Sequence, residues 1–107
     1  MFNFFNNQNN SVNNENKIDK SNMMDNFADL QKARKDLIGE WEAIMQYDEH
    51  IHSSTNRLAV ETWQNIKDEE LVHSGELLSL IMYLDPSQKQ FIEKGIAEFN
   101  ERMNTRG

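Results

Sequence analysis

A chain of 107 residues is long enough for one small domain, and a formal net charge of −7 disfavours nucleic acid and anionic membrane while suiting a cationic partner. The absence of cysteine excludes disulfides, thiolate zinc sites, iron–sulfur clusters and a rubredoxin-type iron centre. One proline and four glycines, three of the glycines isolated within helical patterns, point away from sheet and towards a helical protein.

Residues 1–22, MFNFFNNQNNSVNNENKIDKSN, contain nine Asn and few apolar residues after Phe5. Such a segment buries too little surface to offset its conformational entropy, so a disordered tail is expected ahead of a helical domain at 23–107. Phe2, Phe4 and Phe5 at its tip leave two readings, a docking peptide and a tail without a partner. The tail lacks the charged-then-apolar order of a signal peptide, and no apolar run reaches the length of a membrane span. The expected location is the cytoplasm.

A helical pattern begins near Asp25 and ends near His52, with Phe27, Leu30, Leu37, Trp41, Ile44 and Ile51 at steps of three, four and seven. The polar turn SSTNR, Ser53–Arg57, follows. A second long pattern runs from about Leu58 to Leu84. DPSQ then stops it and starts another: Asp85 can cap, Pro86 suits a first turn, and Gln88 can complete a capping box. The third helix, about 86–104, carries Phe91, Ile92, Ile96, Phe99 and Met103 on one side.

These elements predict an all-α fold: an antiparallel two-helix hairpin plus a shorter C-terminal helix. A lone hairpin cannot cover both of its apolar faces, and a domain this small needs a staple, a metal or a partner. Disulfides being impossible, metal and oligomerisation remain.

Two anomalies give the metal reading its content. On the second helix, Glu70 falls at the centre of a stripe formed by Ala59, Trp63, Leu77 and Ile81, with His73 beside it one turn on. On the first, Glu40 falls inside the arc of Ala33, Ile44, Tyr47 and Ile51, whereas Glu42 and Glu49 point away. A buried carboxylate without a partner costs several kcal/mol or protonates. Glu40 and Glu70 each lie fifteen residues from Thr55 at the turn, so both sit about 22 Å from it and face each other at one level. Two carboxylates and an imidazole at one depth make a metal site.

One chain supplies Glu from one helix and Glu-x-x-His from the next, half the ligand set of a di-iron carboxylate bundle. A two-fold dimer completes it with Glu40, Glu70 and His73, twice. Four carboxylates balance two divalent ions, and the oxygen–nitrogen donors suit iron or manganese. The alternative is that Glu70 and His73 pair with basic residues in an oligomer interface. Arg57 and Lys67, the nearest on that helix, can reach water instead.

EWEAIMQYDEHI (Glu40–Ile51), followed after a short turn by DEELVH (Asp68–His73), resembles the ferritin-like superfamily, most closely the two-helix encapsulated ferritins and next the rubrerythrins. The resemblance covers about residues 30–85. It implies that Glu40, Glu70 and His73 bind iron, with manganese or zinc able to substitute. It also implies that Tyr47 stands beside the site and takes part in its chemistry, and that an acid at Glu42 helps iron approach. Two chains would build one ferroxidase centre, a ferritin-like four-helix bundle, and the dimers would assemble into a ring inside an encapsulin shell. Gly39 and Gln46 depart from that family, which tends to place an acid and an aromatic there. No recognisable shell-docking peptide follows Met103, which leaves the Asn-rich tail as the candidate.

His50 and His52 face different directions and suit a helix C-terminus. Trp41 and Trp63 read as packing residues, and Asp68-Glu69 as solvated acids. The leading function is therefore a ferroxidase that oxidises Fe(II) with dioxygen for iron storage or detoxification. The alternatives are a rubrerythrin-like peroxide reductase, which would need an outside electron donor, and a non-enzymatic metal-binding oligomer.

Overall fold

The computed structural model describes residues 20–106. Helix α1 spans Lys20–Ser53, α2 spans Arg57–Leu84 and α3 spans Pro86–Arg106. No strand occurs among the described residues, so the all-α expectation stands at that level. The start of α1 lies five residues ahead of the expected Asp25. The expected tail, up to residue 19, lies outside the described residues, and its last three residues belong to α1.

The helix ends follow from side chains that satisfy open backbone groups. The Ser53 hydroxyl donates to the carbonyl of Glu49 at 2.9 Å and reaches the open carbonyl of His50 at 3.5 Å. Asn56 Oδ1 accepts the Ala59 N–H at 3.0 Å and caps α2. The connection is thus three residues, 54–56, shorter than the expected Ser53–Arg57 turn. A single residue separates α2 from α3. The Asp85 N–H donates to the Ile81 carbonyl at 3.0 Å, closing α2. Its carboxylate accepts the N–H groups of Ser87 and Gln88, both at 3.2 Å, opening α3. Pro86 at the first helical position has no N–H to satisfy.

Among the described residues two compact units result: one of Gln31–Leu80, the other of residues 20–30 together with residues 81–106. In the second, Leu30, Ile81 and Met82 are buried. Phe27, Phe91, Ile96, Phe99 and Met103 are exposed there, so the apolar side expected on the third helix exists but the described part of its unit leaves it open. In the Gln31–Leu80 unit, Ala33 and Leu37 are buried. Asp48 pairs with Lys67, the His50 ring lies 4.9 Å from Trp63, and Glu40 meets His73. Partner numbers on α2 fall as those on α1 rise. Trp41, expected to pack, is 52% exposed, and Ile38, Met45, Leu58, Leu71 and Val72 are exposed as well.

Candidate metal centre

Glu40 on α1 and Glu70 and His73 on α2 each offer one ligand atom, and the three atoms lie within 4.8 Å of one another. The convergence follows from equal spacing to the turn and from helical spacing within α2, where residues three apart share a side. His73 Nδ1 stands 2.9 Å from Glu70 Oε1 and 3.6 Å from Glu40 Oε1. Both glutamates are largely covered, at 21% and 20% side-chain exposure, while His73 is 50% exposed. The expectation of a buried trio is therefore not met: the two acids are half-buried and the imidazole is exposed. In one chain His73 lies on an edge of α2 that the helix pair leaves open to solvent.

Electrostatics bind the three groups together. Glu40 holds its proton above the ordinary 4.5, first because its carboxyl hydrogen-bonds Glu70, then through partial burial and the charges of Glu70 and Asp36; His73 opposes this. His73 is likewise raised above 6.5, first by its hydrogen bond to Glu70, against partial desolvation, with help from the charges of Glu40 and Glu76. Two carboxylates at this distance resist ionising together. A cation would relieve that repulsion, and the donors present suit one. Hard carboxylate oxygen and neutral imidazole fit Fe(II), Mn(II) or Zn(II), and no thiolate is present to select softer metals. The two shorter separations match neighbouring ligands of one ion, which stand about 3 Å apart when bonds are about 2.1 Å.

Arg57 and Lys67 are engaged elsewhere, with Glu61 at 3.0 Å and with Asp48. Neither neutralises the trio. Tyr47 is half-buried two turns from Glu40, about 10 Å along the axis, and its ring meets His50 edge-on. Its part in the chemistry rests on the resemblance. The ring contacts make His50 a packing residue against Trp63, a role its place at a helix C-terminus did not disclose.

A groove opens on two of the three, lined by Lys35, Asp36, Gly39, Glu40, His73 and Glu76 with Leu77 and Leu80. Asp36 and Glu76 passed unremarked in the sequence. The available signal was position: Asp36 is one turn before Glu40, and Glu76 one turn after His73. Glu42 lines a separate groove with Gly39, Ala43, Met45, Gln46 and Glu49.

Fold and site together define an all-helical protein with a carboxylate–imidazole cluster. Compared with known proteins, the chain matches no family model, no curated protein and no solved structure.

Proposed function

We propose that the chain is a ferroxidase of the encapsulated-ferritin type, a ferritin-like protein whose α1–α2 hairpin pairs with a second copy to build a four-helix bundle around two iron ions. One observation carries the reading: the donor atoms of Glu40, Glu70 and His73 converge within 4.8 Å. Three donors from one chain are half of a di-iron set, and a two-fold partner supplies the other half. Exposed Ile38, Trp41, Met45 and Val72 lie across their helices from Glu40 and Glu70, and favour further contacts in a larger assembly.

Fe(II) is the substrate. Two Fe(II) ions give two electrons to one dioxygen, which with two protons yields two Fe(III) and hydrogen peroxide. The protein's part is positional and electrostatic. Glu40 and Glu70 hold negative charge where the product is more positive than the substrate, so they favour Fe(III) over Fe(II). His73 binds as neutral imidazole, giving up its proton as the ion arrives. The compartment proposed is an encapsulin shell in the cytoplasm, reached through the N-terminal segment.

Oxygen consumption on Fe(II) addition tests the activity. Wild type is expected to consume about one dioxygen per two Fe(II), and Glu70→Gln or His73→Ala to lose rapid consumption. Iron bound without oxygen uptake would leave the non-enzymatic oligomer as the function. Deletion of residues 1–19 keeps oxidation, since the ligands lie in 20–106, and removes co-purification with a co-expressed shell.

A further inference from the structure

Resting on the reading of Glu40, Glu70 and His73 as a cation site, we infer that Asp36 and Glu76 are the carboxylates that draw divalent cations to it, along the groove lined by both, and that Glu42 is not.

Asp36 from α1 and Glu76 from α2 both line the groove, with Glu40 and His73 also in its lining. Both acids lie on the side of the trio away from the α1–α2 turn, so a cation approaching from that side meets them first. Both are exposed, and neither forms an ion pair among the described residues, so their charge faces solvent rather than a fixed counter-ion. Glu42 lines another groove, shared with Glu49, that carries none of the three ligands. Gly39 lines both grooves, and a Cβ built there meets nothing within 4 Å.

Charges of one sign lining a cleft raise the local concentration of the opposite ion and its association rate. The effect belongs to approach and not to holding, so it separates from ligation. Lys35, in the same groove, works against it.

The test is stopped-flow uptake of Co(II), which binds without redox chemistry, run on the full chain beside Fe(II) oxidation. The double variant Asp36→Asn/Glu76→Gln should take up Co(II) about tenfold more slowly at low salt, with the gap closing as salt rises. Its cobalt stoichiometry and its Fe(II) oxidation rate at saturation should match wild type. Lys35→Gln should speed uptake. Glu98→Gln/Glu101→Gln on α3 removes the same net charge from residues outside the groove's lining and sets the baseline. Uptake in the groove variant no slower than this baseline overturns the inference. So does lost stoichiometry, which would make the pair ligands, or a larger slowing from Glu42→Gln. Co(II) uptake with the expected pattern but no Fe(II) oxidation overturns the ferroxidase reading and supports the route. Wild type that takes up no Co(II) overturns both.

Discussion

Glu40 and His73 both hold protons above their ordinary values, and this fixes the sign of the pH response. A raised value means that the protonated form is favoured in the folded chain. Its contribution to stability is present below the unfolded value, near 4.5 for Glu40 and 6.5 for His73, and is lost as pH rises through the raised one. The metal-free cluster therefore weakens from mildly acid to neutral pH as its shared protons leave and its carboxylates repel. Metal binding runs the other way, since the ion replaces those protons. The rise in Tm on adding Zn(II) should be small at about pH 5 and much larger at about pH 8. Equal gains at both would mean that zinc binds elsewhere. Glu70→Gln keeps the shape and removes the charge that both partners lean on. Its metal affinity, by isothermal titration, should fall more than about 100-fold, the upper figure for loss of a mere outer partner of a ligand. Affinity within a few-fold of wild type would remove Glu70 from the ligand set.

At the scale of elements, the two connections carry separable costs. Asp85→Ala leaves the N–H groups of Ser87 and Gln88 without their acceptor and should cost about 1 kcal/mol by urea unfolding. No loss of stability would show that the helix start does not depend on this cap. Gly39→Ala should act in the opposite sense. The added Cβ meets nothing, and a mid-helix Gly costs roughly 1 kcal/mol against Ala, so the metal-free chain should gain about that much. A loss instead would mean that another surface packs against that glycine in solution. The Asp85 cap was legible because Asp-Pro-x-Gln joins a capping side chain to a residue with no N–H to give. The Asn56 cap was not, since SSTNR holds several residues able to cap and only geometry chooses. The meeting of Glu40 with Glu70 and His73 was legible from two periodicities and one distance to the turn. The openness of His73 was not. A helical wheel reports which side is apolar, and says nothing of whether one chain covers it. Phe91, Ile96, Phe99 and Met103 escaped for the same reason: their alignment along α3 was readable and their exposure was not.

At the scale of the molecule, the exposed apolar residues and the half-open trio lead to one expectation about assembly. Trp41, Ile38 and Met45 on α1 and Leu58, Leu71 and Val72 on α2 leave the Gln31–Leu80 unit with more apolar surface than its few buried residues can account for. A second copy would cover part of it. A two-fold contact through the face that carries the trio, with exposed Leu80 in its groove, would gather four carboxylates, and as these are desolvated they repel or protonate. Hydrophobic burial and charge repulsion then oppose each other, and the cation decides the balance. If two copies share the site, the ion binds the assembled state better than the separate chain, and its binding free energy then adds to association. The metal-free protein at neutral pH should therefore sediment as a monomer or a weak dimer, and Zn(II) should shift it to dimers or larger rings. Glu70→Leu separates the two forces, since it removes charge and ligand while adding apolar surface. That variant should associate at least as well as metal-free wild type, and its sedimentation should be indifferent to Zn(II). A wild-type chain that stays monomeric with tightly bound metal would contradict the shared site, because Glu40, Glu70 and His73 of one hairpin would then suffice alone. A wild type that forms the same oligomer with and without metal would place the driving force in the apolar surface, and leave the trio a passenger in an interface that closes without it.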